Sequence, residues 1–140
     1  MPITPLMVFV DTSAYIALTR RDDEHHQDAL AILDALRQQR ARLYTTNFVV
    51  AETHTLLLRY LGNVVARTFL QAVDKSKITN IVRAEVVDEE AARAIIYRYT
   101  DKDFSLTDAI SFAVMERMGI SQAFAFDKHF AQYGVKVLEP

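Results

Sequence analysis

The pattern that most constrains the fold is the alternation of short apolar segments with longer helical segments. Short apolar runs bounded by polar residues predict buried strands, here at residues 6–10, 42–46, part of 78–87, 123–126 and 135–138. Between them, apolar side chains recur every three or four residues, as in amphipathic helices. Strands that alternate with helices usually join in parallel through right-handed crossovers. The sequence therefore predicts an α/β domain of three layers, with a mainly parallel central sheet flanked by helices.

Three predicted helices lie in the first half of the chain. "EHHQDALAILDALRQQ" (24–39) has one apolar face, and Asp22 or Asp23 is a suitable N-cap before it. Residues 47–62 and 63–74 form two further helical patterns, separated by a Gly-Asn pair that is typical of a helix end.

Two more predicted helices lie in the second half. Asp88 is predicted to cap "EEAARAIIYRY", whose acidic first turn suits a helix N-terminus. "SLTDAISFAVMERMG" opens with the capping-box spacing Ser105-x-x-Asp108 and closes on Gly119. No linker or repeat interrupts the pattern, so a single domain over residues 1–140 is expected.

Composition excludes several kinds of site. The chain lacks cysteine, which excludes disulfides, thiolate nucleophiles and cysteine-zinc sites. It also lacks the run of about 20 apolar residues that a membrane helix needs, and a basic segment before the first apolar run, so a cytoplasmic location is expected. The net charge of −2 gives no strong long-range attraction to nucleic acid, although a local basic rim or bound cations can supply one.

Three aspartates are expected at one edge of the sheet. Asp11 directly follows the first predicted strand and Asp127 directly follows the fourth, so both carboxylates should lie at the carboxyl ends of parallel strands, where sites form in such folds. Asp108 lies in the first turn of a helix that can begin at the same edge.

Glu52 is unusual for a different reason. Its helical neighbours Phe48, Val49 and Leu56 are apolar. A carboxylate on such a face costs several kcal/mol unless it has a cation, a donor or a water-filled cleft beside it.

Each acid also has an ordinary structural explanation. Asp11, Asp108 and Asp127 could act only as helix caps, and Glu52 could pair with Arg59. Caps do not explain Glu52, nor two strands that both end on aspartate. A shared divalent cation explains all four, because clustered carboxylates repel one another without one, and hard oxygen ligands favour Mg²⁺ or Mn²⁺.

Four segments in order carry a resemblance to a known family: "FVDTSAYIAL", "TTNFVVAETHTLL", "DFSLTDAISFAVMERMGI" and "AFAFDKHF". Together they resemble the PIN-domain ribonucleases, in particular the toxin subunits of VapBC-type toxin–antitoxin pairs. The resemblance covers nearly the whole chain.

The resemblance implies the roles of several residues. Asp11, Glu52, Asp108 and Asp127 match the family's catalytic cluster around Mg²⁺ or Mn²⁺. The hydroxyl positions implied to orient that cluster are Thr12, Ser105 and Thr107. Asp103, in the segment "DKDFSLTDA", is a candidate peripheral ligand or loop anchor, although a solvated loop residue is the favoured interpretation. Ser13 is assigned to the start of the helix. Ala125 departs from the family pattern, which often has Thr or Ser two residues before the last aspartate.

The same resemblance implies a function. The expected activity is metal-dependent cleavage of RNA, leaving 5′-phosphate and 3′-hydroxyl ends. Expected partners are a small antitoxin protein and a second copy of the chain in a homodimer. A stand-alone RNA-processing nuclease and a catalytically silent PIN-like interaction module are the alternatives.

Other classes fit the residues less well. His25 and His26 are adjacent on a helix and point about 100° apart, so "RRDDEHHQDA" is better explained as a solvated helix start than as a metal site. His54 and His129 lack the H-E-x-x-H spacing of metalloproteases, and Ser105 lacks a G-x-S-x-G elbow. A phospho-acceptor module would need an acidic pair beside its central aspartate, whereas "VFVDTS" offers a single one.

Overall fold

The described part of the chain, residues 4–140 of a computed structural model, contains one sheet of five strands in which every pairing is parallel. The strands are β1 (Met7–Val10), β2 (Arg42–Thr46), β3 (Thr79–Val82), β4 (Gln122–Phe124) and β5 (Lys136–Val137). The expected α/β class with a mainly parallel sheet is confirmed.

Seven helices surround the sheet within the same described residues. They are α1 (Thr12–Thr19), α2 (His26–Gln38), α3 (Asn47–Leu61), α4 (Asn63–Lys75), α5 (Val86–Arg98), α6 (Leu106–Met118) and α7 (Lys128–Tyr133). None of these helices is both long and apolar enough to span a membrane.

The order of the strands determines where a site can form. Across the sheet the strands run β3-β2-β1-β4-β5. The chain therefore moves outward from β1 to β3 on one side, then crosses to β4 on the other side of β1. Such a change of direction opens a crevice at the carboxyl ends of the two central strands, here β1 and β4.

Side chains of β1 alternate between the two faces of the sheet. Val8 and Val10 pack with α1 and α2 in one buried cluster, whereas Phe9 packs with α6 in another. Residues 108–115 of α6 are all buried, so this helix lies inside the fold rather than on its surface. A third, smaller cluster joins α3 to α4 around Leu57 and Phe69.

The third strand occupies part of residues 78–87, as expected. Several other predicted boundaries were wrong. The fifth strand is shorter than residues 135–138, because only part of that apolar run pairs with β4. Neither Asp22 nor Asp23 is the N-cap of α2; His25 occupies that position, and the Asp23 side chain accepts from the His25 N–H. Asp88 does not cap α5 but lies one turn inside it, where it completes a capping box with Glu85.

The helix ends predicted at glycine were correct. Gly62 ends α3 with φ 91°, and Gly119 ends α6 with φ 71°, both in the left-handed half of backbone space where a side chain is strained.

Candidate metal centre

Asp11 lies at the carboxyl end of β1, in the crevice between the two central strands. Its backbone N–H donates to the carbonyl of Phe124 at the end of β4, at 3.1 Å. Its side chain is the N-cap of α1 and accepts from the Ser13 N–H at 3.1 Å. Only 3% of Asp11 is exposed, so this carboxyl group is held inside the fold at the point where the strand becomes a helix.

Asp108 reaches the same crevice from the first turn of α6. Ser105 and Asp108 form the predicted capping box. The same Asp108 Oδ2 atom that accepts from the Ser105 N–H lies 2.9 Å from Nδ1 of His129. The cap therefore leaves Asp108 in contact with a neighbouring helix.

Asp127 approaches from the other side, although not directly from a strand as expected. β4 ends at Phe124, and two residues intervene before Asp127 because the chain leaves the sheet to enter α7. Asp127 is the N-cap of α7, and its Oδ1 accepts from the His129 N–H at 2.6 Å. The helix brings the carboxylate to the crevice.

These elements bring three potential ligands together. One ligand atom each from Asp108, Asp127 and His129 lie within 4.8 Å of one another. His129 Nδ1 lies between the two carboxylates, 2.9 Å from Asp108 Oδ2 and 3.0 Å from Asp127 Oδ1. Asp11 and Glu52 lie outside this group of three.

Glu52 and Asp11 nevertheless line the same cleft. The cleft has a volume of about 490 Å³, and its walls include all four predicted acids together with His129 and Lys128. Glu52 is half-buried on α3. The ion pairs within residues 4–140 do not include Glu52, so the suggested pairing with Arg59 is absent there.

Burial and mutual repulsion make negative charge costly in this cleft. Burial raises the pKa of Asp11 from 3.8 to about 6; hydrogen bonds from Ser13 oppose this shift, and the charges of Asp108 and Asp127 add to it. Burial is also the main reason that the pKa of Asp108 is raised, with Asp127 contributing. Both groups therefore gain from any nearby positive charge.

Helix N-termini supply part of that positive charge. α1, α6 and α7 all begin at the cleft, on Asp11, Ser105 and Asp127 respectively. The positive end of a helix dipole stabilises an adjacent carboxylate by about 0.3–1 kcal/mol. The capping and site explanations of these aspartates are thus compatible, since the same carboxylates cap helices and face one cleft.

The donor atoms suit a divalent cation. Carboxylate oxygens are the preferred ligands of Mg²⁺ and Mn²⁺, and a cation among them removes the repulsion that raises the two pKa values. The sequence profile of the PIN domain matches residues 8–136. The chain belongs to the PIN-domain family. The family suggested by the four sequence segments is therefore confirmed.

Two relatives of this PIN domain carry names that describe an activity. The "23S rRNA-specific endonuclease VapC20" of Mycobacterium tuberculosis is 35% identical over 137 residues, which cover 96% of this chain and 99% of that protein. The "VapC ribonuclease" of Archaeoglobus fulgidus is 31% identical over 128 residues, covering 90% and 80% of the two chains.

Solved structures agree with the fold. The crystal structure of M. tuberculosis VapC20, described as a sarcin-ricin loop cleaving toxin, superimposes with a TM-score of 0.88 at 32% identity, covering 95% of this PIN domain and 99% of that chain. FitAcB from Neisseria gonorrhoeae superimposes with a TM-score of 0.70 at 16% identity, covering 94% and 96%, and supports the fold alone.

Ser13 is a site residue that the sequence analysis assigned only to the helix start. Its hydroxyl donates to Asp11 Oδ2 at 2.7 Å and accepts from the backbone N–H of Phe126 at 2.9 Å. Ser13 therefore ties the segment that leads to Asp127 onto the first turn of α1. The polar run Asp-Thr-Ser after the first strand was the available signal.

His129 is the second residue that sequence analysis missed, because it was tested only against metalloprotease spacing. The signal was its place two residues after Asp127, since an N-cap side chain accepts from the backbone at that distance along a helix. Ala125, which lacks the hydroxyl of the family pattern, is buried. In place of a hydroxyl at position 125, the backbone N–H and the ring Nδ1 of His129 contact the Asp127 carboxylate.

The predicted hydroxyls have different surroundings. Thr12 lines the cleft, and its hydroxyl accepts from the hydroxyl of buried Thr53 at 3.3 Å. Ser105 contacts Asp108 directly through the capping box. Among residues 4–140, the lining of the cleft does not include Thr107 or the exposed Asp103.

A larger cavity, of about 570 Å³, lies apart from the acids. Side chains of α1, α2 and α4 line it, with Tyr15, Leu33 and Phe69 among them. Its walls are mainly apolar and include none of the four acids. The chemistry expected of the acidic cluster therefore belongs to the smaller cleft.

Proposed function

We propose that this PIN domain is a metal-dependent endoribonuclease and the toxin of a toxin–antitoxin pair. The observation that carries the proposal is the convergence of carboxylates in one cleft. One ligand atom each from Asp108, Asp127 and His129 lie within 4.8 Å of one another, and buried Asp11 lines the same cleft. We further propose that one unit over residues 1–140 is sufficient for this activity.

Asp11, Glu52, Asp108 and Asp127 are the proposed metal-binding and catalytic residues, with Mg²⁺ or Mn²⁺ as the cation. Such a cation, when bound, activates water and stabilises the charge that develops on a phosphodiester during hydrolysis. Asp11 and Asp108 are held in place by the hydrogen bonds that cap their helices. Their positions are thus fixed before substrate arrives, which favours catalysis.

The cleft also has features that suit an RNA strand. Lys128 lies on its wall and is exposed, so its ammonium group is able to reach a phosphate. His25 stacks on Phe126 at the cleft, with ring centroids 4.6 Å apart and planes within 7°. Flat side chains of this kind are surfaces on which unpaired bases stack.

The relatives' names suggest a substrate and a partner for this chain. We propose a structured loop of 23S rRNA as substrate, because the relatives from M. tuberculosis are named for 23S rRNA and the sarcin-ricin loop. A small antitoxin is proposed because a relative is described as a toxin. Homodimerisation and a cytoplasmic location stay predictions.

Cleavage of a defined RNA tests the proposal. Purified protein is incubated with a transcript containing the sarcin-ricin loop, and with the same transcript carrying a scrambled loop, in Mn²⁺, Mg²⁺ or EDTA. We expect cleavage of the first transcript with metal, and none in EDTA or by Asp108→Asn. Asp74→Asn, which changes an exposed aspartate on α4 outside the cleft lining, is the matched control and should cleave normally.

The outcomes separate the alternatives. Cleavage that persists in EDTA would contradict a metal-dependent mechanism. Cleavage of both transcripts would favour a general processing nuclease over a loop-specific toxin. If the protein binds Mn²⁺ but cuts neither transcript nor total RNA, the proposed substrate is wrong; if it also fails to bind metal, the silent interaction module is the better explanation.

A further inference from the structure

The ring of His129 occupies an unusual position between two carboxylates. Its Nδ1 atom lies 2.9 Å from Asp108 Oδ2 and 3.0 Å from Asp127 Oδ1. A nitrogen carries at most one proton in this position, so it cannot form two full hydrogen bonds at once. One of the two short contacts is therefore left without a proton of its own.

The ring is held in this position from several sides. The backbone N–H of His129 donates to Asp127, which fixes the residue at the start of α7. Phe104 packs edge-on to the imidazole ring, at 5.7 Å between centroids and 85° between planes. The side chain is only 18% exposed. Nδ1 is therefore directed at the carboxylates by contacts that need no ligand.

Two of the three spacings among these atoms match a metal site. In an octahedral centre with bonds of about 2.1 Å, adjacent ligand atoms are about 3.0 Å apart. The two distances from Nδ1 to the carboxylate oxygens have this length. A cation bound to Nδ1 and to both carboxylate oxygens would remove the need for a proton in either contact.

We propose that His129 Nδ1 is a direct metal ligand, so that the centre contains one nitrogen among carboxylate oxygens and binds Mn²⁺ in preference to Mg²⁺. Imidazole is a common ligand of transition metals, whereas Mg²⁺ is bound almost wholly by oxygen. This inference rests on the proposed metal-dependent function. It adds a residue and a choice of metal to the same site.

Electron spin echo spectroscopy of the Mn²⁺-loaded protein tests it directly, since a bound ¹⁴N nucleus modulates the echo. We expect ¹⁴N modulation in the wild-type protein and its loss in His129→Gln. The matched control is His25→Gln, which makes the same change in the same cleft at a ring that contacts Phe126 and Glu24. The control should keep the modulation.

A labelled wild-type sample makes the test independent of whether a variant folds. Protein with ¹⁵N-histidine should show the ¹⁵N pattern in place of the ¹⁴N one.

Titration calorimetry then compares the affinities for Mn²⁺ and Mg²⁺. His129→Gln should weaken Mn²⁺ binding on the order of 10-fold and Mg²⁺ binding much less, whereas a residue that only positions the carboxylates should weaken both metals equally.

Two results overturn the inference. Mn²⁺ that binds without histidine coupling, in a protein that still cleaves RNA, leaves the proposed function in place and excludes His129 as a ligand. If ¹⁴N coupling is lost in His25→Gln but kept in His129→Gln, the metal-bound nitrogen belongs to His25 and not to His129. Failure of the wild-type protein to bind Mn²⁺ at all is different, because it contradicts the proposed function as well.

Discussion

Ser105 and Asp108 exchange two hydrogen bonds across the first turn of α6, from the Asp108 N–H to Ser105 Oγ at 3.0 Å and from the Ser105 N–H to Asp108 Oδ2 at 3.1 Å. The carboxylate that closes this capping box also faces the acidic cleft. A substitution at Asp108 therefore affects two roles, and a useful test has to separate them.

Asparagine and alanine at position 108 provide that separation. Asp108→Asn keeps an oxygen that accepts from Ser105 but loses the charge, so cleavage should fall at least 100-fold while the metal-free protein stays as stable as wild type or gains stability. Asp108→Ala should lose cleavage and also about 1 kcal/mol of unfolding free energy, because the Ser105 N–H loses its acceptor while the residue-108 N–H still donates to Ser105 Oγ. Urea unfolding in EDTA, beside RNA cleavage, measures both effects. Equal destabilisation by the two variants would argue against the separate capping role.

The buried carboxyl of Asp11 predicts an unusual dependence of stability on pH. Its pKa rises from 3.8 to about 6 on folding, so the folded state binds the proton more tightly than the unfolded state does. The free energy of unfolding of the metal-free protein should then fall as pH rises from about 4 to about 6, by up to about 3 kcal/mol from this group.

Asp11→Asn should remove this dependence and raise the stability of the metal-free protein at pH 7. The difference between wild type and variant, from urea titrations in EDTA across that pH range, isolates the Asp11 contribution from other titrating groups. Added Mn²⁺ should stabilise wild type more as pH rises through about 6, because the proton must leave first. A difference that stays constant with pH would contradict the raised pKa.

Removal of the Ser13 hydroxyl should affect both stability and chemistry. Ser13→Ala leaves the Phe126 N–H without its acceptor and costs about 1–2 kcal/mol. It also removes a hydrogen bond that lowers the pKa of Asp11, so the acidic limb of the cleavage pH profile should move to higher pH. Ser13→Thr restores a hydroxyl and should recover both properties. A loss of stability with an unchanged pH profile would limit Ser13 to a structural role.

The ion pair between α5 and α6 should matter for stability alone. Asp88 is 2% exposed and accepts from Arg117 Nε and Nη2, both at 2.8 Å, and Arg117 lowers its pKa. Arg117→Met should lower the free energy of unfolding, by less than the loss of a fully buried pair would because Arg117 is 33% exposed. The lowered pKa means that this stabilisation is present above the ordinary value of 3.8 and is lost as pH falls through the folded-state pKa.

Chemical unfolding at pH 7 and at low pH measures the effect of Arg117→Met. Glu90→Gln, an exposed change on the same α5, should leave stability near that of wild type. Metal-dependent cleavage by both variants should match wild type at temperatures where they are folded. Reduced cleavage by folded Arg117→Met would instead connect this pair to the cleft.

The positions of the four acids show how far local sequence reasoning extends. Asp11 was placed correctly because it directly follows a strand whose apolar residues can be recognised without neighbours. Asp127 was placed at the right edge and its alternative role as a helix cap was correct, but it does not directly follow the strand. Parallel pairing with β1 ends β4 at Phe124, and the length of a paired strand depends on its partner as well as its own residues.

Contacts between segments that are distant along the chain could not be predicted from the sequence. Asp88 had the composition of a helix cap, yet it is buried against Arg117, which lies 29 residues away and reaches it only after α5 packs on α6. His129 had no metalloprotease spacing, and its meeting with Asp108 depends on where α6 and α7 begin relative to each other.

The sequence by itself determined the α/β class, the order of its elements and the capping residues Ser105 and Asp11, because periodicity and capping act between residues that are close along the chain. Only the tertiary structure decided that the crevice opens between β1 and β4, that three helices begin there, and that Ser13 and His129 contact the acids. Those features depend on strand order and helix packing, which bring together groups from opposite ends of the chain.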